Sequence, residues 1–280
     1  MQWWCSAQGA PWTWAWRPYL GVWLLVLLIA VAYRRAYRAT APWAATEGRK
    51  LRRWRVAAAA SGIGGLWLLL DWPIGALGAG YLASVHSFQF LGLALALPPL
   101  LLFGLPPGWE ATRGPRTAAI LERVTQPLSA FVGFLVIVFL THLPPIVDAL
   151  MVTQAGSFLL DLAWLLGGLA FWWPVVRRWP SPGLGPAARL LYVLGGTAAR
   201  MGIGMFMALA PFPLFRVFEL APPIARIDAF EDQQRAGGLM MFGDVLVGLA
   251  AVAILIYIWQ RDEHERLARA AGNAVGREVV

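Results

Sequence analysis

The chain has 280 residues, of which 59% are hydrophobic and only 14% charged, where a soluble domain carries roughly 25% charge. That balance excludes an ordinary soluble domain and indicates an all-α, polytopic membrane helix bundle. The net charge of +8 does not indicate nucleic acid, because the arginines gather in short stretches between apolar segments, and the single cysteine, Cys5, excludes an internal disulfide or a CxxC thiol pair.

In chain order, residues 1–18 form a tryptophan-rich segment (Trp3, Trp4, Trp12, Trp14, Trp16) expected at the membrane–water interface, where an indole is half buried and its N–H stays wet. No basic stretch precedes the first apolar run, so a cleaved signal peptide is not expected. Residues 19–260 read as a membrane domain of seven spans. The spans are expected at about Trp14–Tyr33, Val56–Trp72, Tyr81–Phe103, Pro127–Leu143, Phe158–Val176, Leu190–Ala210 and Gly238–Trp259. Residues 261–280 form a charged tail.

The stretches after the first, third and fifth spans carry most of the positive charge. They include Arg34, Arg35, Arg38, Arg49, Lys50, Arg113, Arg116, Arg123, Arg177 and Arg178. Only the connection from Pro211 to Arg235 is mixed, where Arg216, Arg226 and Arg235 accompany acidic residues. The positive-inside rule therefore predicts an outside N-terminus and an inside C-terminus.

That orientation gathers the unusual polar residues near the outer leaflet: Asp71, His86, Gln89, His142, Asp148, Asp161 and the run Asp232-Gln233-Gln234. Ionisable groups at membrane depth are costly and tend to mark function. Imidazole, carboxylate and thioether are donors suited to copper or zinc. Each histidine also has a plain reading, a hydrogen bond to a neighbouring helix end. Asp232-Gln233-Gln234 has one too, a polar cap where a helix meets the headgroups. Arg200 falls mid-span and requires a partner, with Asp244 the first candidate and Asp161 the second. The methionines of the last two spans fill gaps in the core by default. No phosphate loop, nucleophile elbow or HExxH is present, so nothing supports an enzyme.

Several of these stretches carry a resemblance. They are Thr141-His142-Leu143-Pro144-Pro145-Ile146-Val147-Asp148-Ala149-Leu150, Phe171-Trp172-Trp173-Pro174 and Asp232-Gln233-Gln234 with Ala236, Gly237 and Met240. Together with Asp71 and His86-Ser87-Phe88-Gln89, in that order along the chain, they resemble the CtaG-like cytochrome c oxidase assembly factors. The resemblance implies a multi-pass protein of the bacterial cytoplasmic (inner) membrane that helps copper reach the catalytic subunit of a haem–copper oxidase. Carried onto this chain, it implies His86, His142 and Met240 as ligands of a transient copper ion. Asp71, Gln89, Asp148, Asp232, Gln233 and Gln234 become supporting motif residues; Asp148, close to His142 in the chain, is further expected to fix an imidazole tautomer. The two histidines and the Asp232-Gln233-Gln234 turn are expected to converge on one pocket.

The chain departs from the family pattern at Phe90, where a second histidine is usual, at Thr141 and Val147, and between Val152 and Asp161, which holds no histidine. The departures leave a second reading open, an accessory subunit stably bound in a respiratory oxidase complex with a reduced or lost metal site. The tryptophan-rich segment would then suit a docking surface. A transporter ranks last, since no inverted repeat appears. Expected partners are the oxidase subunit or complex and membrane lipid.

Overall fold

The computed structural model describes residues 2–44, 47–177, 180, 183–224 and 227–278. Arg178 and Arg226, counted above as topology signals, and the last two residues of the tail lie outside the described residues. Among the described residues every regular element is helical. The chain runs through α1 (Leu20–Ala39), α2 (Ala41–Ala44), α3 (Arg49–Leu70), α4 (Ile74–Gly80), α5 (Ala83–Phe90) and a π turn (Leu91–Ala96) into α6 (Leu97–Gly104). A short 3-10 turn precedes α7 (Pro115–Thr125), α8 (Pro127–Leu140), α9 (Pro144–Met151), α10 (Gln154–Val176), α11 (Pro186–Leu209), α12 (Arg216–Glu219) and α13 (Ala229–Glu278).

Five stretches are each long and apolar enough to cross a membrane: Leu20–Ala39, Ala83–Gly104, Gln154–Val176, Pro186–Leu209 and Ala229–Leu267. Two bent pairs bring the number to seven if each crosses as one, α3 with α4 at 48° and α7 with α8 at 66°. Both bends fall where the sequence stops a helix. Asp71-Trp72-Pro73 ends α3, and Gln126-Pro127 separates α7 from α8. The residue before a proline is pushed out of the helical region, which breaks the rod there.

Helix boundaries differ from the expectation in physically readable ways. The first helix begins at Leu20 rather than near Trp14, because Pro11 and Pro18 hold the preceding chain extended, with Trp4 buried in the bundle and Trp14 and Trp16 exposed. The arginine-rich stretch from Arg49 to Arg55 is not loop but the first two turns of α3. The last helix starts at Ala229, so Asp232-Gln233-Gln234 lies inside its first turns rather than ahead of it, and the charged tail continues the same helix.

The π turn was not foreseen. Pro98 and Pro99 lack the N–H groups that would close α-type bonds to Ala94 and Leu95, and a proline ring collides with the carbonyl four residues back. A wider turn just ahead of them relieves that collision. Gly168 of α10 uses the opening, since a side chain there would run into the Ala94 backbone.

Helix α10 is the centre of the bundle and touches the π turn, α6, α8 and α9. On one flank α3 packs antiparallel to α6, with Gly62 against Leu101 and Gly65 against Leu97, and α1 lies outside them. On the other flank α11 and α13 form an antiparallel pair. Their closest crossing is at Gly204 and Gly237, where a Cβ on Gly237 would sit 2.5 Å from the Ala208 nitrogen and the Gly204 oxygen. Small residues permit such backbone approach between membrane helices. Helix α13 also lies parallel to α5, joining Asp232 to Ser84 at one level and Gly243 to Leu91 deeper in.

The two ends of the bundle are chemically distinct. The arginine face carries Arg55, which donates to Glu47 at 2.6 Å and to the Phe103 carbonyl at the end of α6 at 2.7 Å, and Arg177, which pairs with Glu110. The opposite end, called the amino face, carries the N-terminal segment with Asp71, His86, Gln89, His142, Asp148, Asp161 and Asp232-Gln233-Gln234.

Candidate functional site

The amino face is built from helix ends, and most of its polar side chains serve those ends. Asp232 accepts the Ser84 hydroxyl at 2.5 Å and the Ser84 backbone N–H at 3.2 Å. A carboxylate there satisfies an orphan donor of α5 and complements its dipole. Gln233 accepts the Leu214 N–H at 2.6 Å and donates to the Phe212 carbonyl at 3.2 Å, which clamps the chain between α11 and α12. Gln234 is exposed.

Gln89 donates to the Leu69 carbonyl at 2.8 Å, near the end of α3. Asp71 accepts the Tyr19 N–H at 3.2 Å and the Trp23 indole N–H at 2.9 Å, and so fixes the start of α1. Asp148 accepts the Val217 N–H at 3.0 Å and holds α12. The tautomer of His142 is set by another group: its Nδ1 lies 2.7 Å from the Val138 carbonyl one turn back, so Nδ1 donates the proton and Nε2 is left with its lone pair. Asp148, expected on an imidazole, therefore acts on α12 instead. Asp161, the second candidate for Arg200, accepts the Trp4 indole at 2.9 Å.

Arg200 and Asp244 meet in the core of the α11–α13 pair. Arg200 Nε and Nη2 reach the two Asp244 oxygens at 2.7 and 2.8 Å, the two-pronged geometry in which a guanidinium binds a carboxylate best. Its Nη1 has no hydrogen-bond partner among the described residues, but the guanidinium carbon lies 5.4 and 5.2 Å from the ring centres of Phe134 and Phe171. Aromatic faces attract a cation at that range.

The histidines have a wall in common that the sequence reading missed. Trp164 of α10 is fully buried, and its indole N–H donates to Thr141 Oγ1 at 2.9 Å. His86 packs on this indole with ring centres 4.8 Å apart, and His142 stacks on it at 5.8 Å with planes 24° apart. Phe90 meets His142 edge-on at 4.8 Å and Trp164 at 5.3 Å, filling the place where another imidazole was expected. Phe218 of α12 covers His86 at 5.6 Å, so Asp148 contributes here only by holding α12.

Both histidines leave Nε2 buried with no hydrogen-bond partner among the described residues. Met240 is buried on α13, between the Ser84–Asp232 contact and the level of Leu91. Beside His86 is a cavity of about 10 Å³, lined by Gly75, Met151, Ser157 and Asp161 among others and with room for about one water. Among the described residues no three His, Cys, Asp or Glu side chains gather in metal-binding geometry. The structure thus brings His86 and His142 to one indole and pairs Arg200 with Asp244. It does not bring Asp232, Gln233 and Gln234 to the imidazoles.

Trp164 could have been suspected. A tryptophan at the centre of an apolar span needs an acceptor for its N–H, and Thr141 beside His142 is a hydroxyl in an otherwise apolar helix end.

The described residues thus form an all-helical bundle with five to seven candidate membrane spans. The family model for the cytochrome c oxidase caa3 assembly factor (Caa3_CtaG) matches residues 30–262. The chain belongs to that family. It is also 24% identical over 219 residues to the uncharacterized protein ML1998 of Mycobacterium leprae (strain TN), an alignment that covers 66% of this chain and 31% of that protein. The chain thus spans about a third of that relative's length. No solved structure matches the chain.

Proposed function

We propose that this chain assists the maturation of a cytochrome c oxidase by holding copper transiently at His86 and His142 and passing it to the oxidase catalytic subunit. The observation that supports this reading is the pair of unpartnered Nε2 atoms, both buried against Trp164. A buried polar atom without a partner is costly to keep, and a neutral imidazole nitrogen is a copper ligand. Two imidazoles, with Met240 as a soft reserve, suit copper(I) as exchangeable cargo and not a resident ion held by three or four donors. The assembly role of the family points to a non-catalytic protein.

The amino face is taken as the outer side of the bacterial cytoplasmic membrane, because the arginines concentrate at the opposite end. A reporter joined after Glu278 is expected to read cytoplasmic and one joined before Trp3 to read outside; both on one side would exclude an odd number of spans.

The function is tested on purified chain by competition for copper(I) with a coloured chelator. His86→Ala and His142→Ala are each expected to weaken binding by at least about 10–100-fold, the loss typical when even an outer partner of a metal ligand is removed. Oxidase activity in membranes of a host carrying either variant is expected to fall while the chain remains at normal abundance. Equal copper retention by the double variant would remove the proposal. Recovery of this chain at one copy per oxidase would favour the accessory-subunit reading, which the capping roles of Asp71, Gln89, Asp232 and Gln233 also accommodate.

A further inference from the structure

The N-terminal segment, which precedes the residues matched by the family model, does not lie loosely at the interface. Trp4 is 1% exposed and Cys5 2%. The Trp3 backbone N–H donates to Gln154 Oε1 at 2.8 Å, the Trp4 indole to Asp161 at 2.9 Å, and the Ala7 N–H to the Met151 carbonyl at 2.9 Å. The Cys5 thiol donates to the Leu70 carbonyl at 3.3 Å and lies against Gly75, and Ala7 lies against Gly80. The small residues of α4 form the seat for this stretch. Of the groups it grips, Gly75, Met151 and Asp161 also line the cavity beside His86.

We propose that residues 3–10 are a stopper seated over the His86 cavity, and that solutes of the size of a hydrated ion reach His86 only when this segment lifts. The inference rests on His86 belonging to the working site proposed above, and it concerns access to that site. The segment is extended chain held by side-chain and single backbone bonds, with no ladder of its own, so it can leave without unfolding a helix. Its thiol is a built-in reporter. Burial, and then the nearby Asp161 and Asp71 carboxylates, push the Cys5 thiol well above its usual pKa, so in place it is both covered and protonated.

The test uses the 280-residue chain in detergent and a water-soluble maleimide, with no metal and no oxidase, so it can fail independently of the copper reading. Cys5, the sole cysteine, is expected to react slowly in the unmodified chain. It is expected to react at least about tenfold faster after Trp4→Ala, or after Gln154→Ala should the first variant fold poorly, because either removes hydrogen bonds that hold the segment. In a Cys5→Ser background, the thiol introduced by His86→Cys is expected to be protected and to be uncovered by the same two changes. A thiol introduced by Val193→Cys, buried on α11, is expected to stay protected throughout. Equal labelling at position 86 with and without the loosening change would overturn the proposal. So would protection at position 86 while Cys5 becomes exposed, or an equal gain at position 193, which would mean the whole bundle loosens.

Discussion

Replacing Arg200 with methionine is expected to destabilise the bundle by about 3–5 kcal/mol, the cost of stranding one member of a buried ion pair. Asp244 would keep its charge inside the α11–α13 pair, and the bond from Arg200 to Thr197 would go too. The Arg200 and Asp244 side chains are almost wholly covered, at 2% and 3% exposure, so solvent cannot step in. The cation's contacts to Phe134 and Phe171 would be lost as well. Replacing both partners, Arg200→Met with Asp244→Leu, is expected to recover most of the loss, because two apolar side chains of similar volume leave no charge unpaired. The measurement is a double-mutant cycle on unfolding in mixed micelles. If the double variant is as damaged as Arg200→Met alone, the pair does not carry the stability assigned to it.

The second large effect is expected at Trp164. Trp164→Ala should cost about 3–5 kcal/mol, the usual range for deleting a buried aromatic side chain. It should also remove the surface on which both imidazoles rest. Trp164→Phe keeps one ring but loses the bond to Thr141 and the volume of the second ring, so its cost should be smaller, about 1–3 kcal/mol. The pair of variants separates packing from positioning. If Trp164→Phe leaves copper(I) affinity unchanged while Trp164→Ala abolishes it at a temperature where both are folded, the indole acts as a wall. A loss of affinity in Trp164→Phe equal to that in Trp164→Ala would contradict a wall that any aromatic ring can supply and would mean that the whole indole is required.

The helices and their order are legible in the sequence because a bilayer demands long apolar runs and the arginines mark their ends. The Arg200–Asp244 pair is legible for a related reason: a mid-span charge must find an opposite one, and few were available. The roles of Asp71, Gln89, Asp148, Asp232 and Gln233 were not. A carboxylate or amide at a helix end can hold a ligand or cap a neighbour, and the two uses look the same until the neighbour is known. Asp232 caps a serine 148 positions away, and Asp148 an amide 69 positions away. Phe90 was visible as a missing histidine, but only the packing of Trp164 shows what occupies the space. Within the N-terminal segment, the burial of Trp4 beside the exposed Trp3, Trp14 and Trp16 was not legible, because tryptophans suit an interface and a buried crevice alike. What distinguishes them is the pairing of Trp4 with Asp161, a contact between residues 157 positions apart. The π turn escaped because apolar periodicity does not resolve a one-residue change of winding; Pro98-Pro99 was its only readable sign.

Helix α13 has 50 residues, which at 1.5 Å per residue is a rod of about 75 Å. A hydrocarbon core about 30 Å thick takes only some 20 of them. Asp262, Glu263 and Arg266 still face the stretch from Gly183 to Arg189; further on, Leu267 and Arg269 are exposed and ion pairs run along the helix's own surface, such as Arg269 to Glu265 at 3.2 Å. A peptide of that length alone would be a poor helix in water, because starting one is the unfavourable step. Here the start has already been made inside the membrane, so each further residue only extends a rod that exists. The projecting end should accordingly fray from its tip inward, gradually and not as a unit. Its reach beyond the arginine face would be set by temperature and salt, since warming weakens propagation and salt screens the pairs that support it.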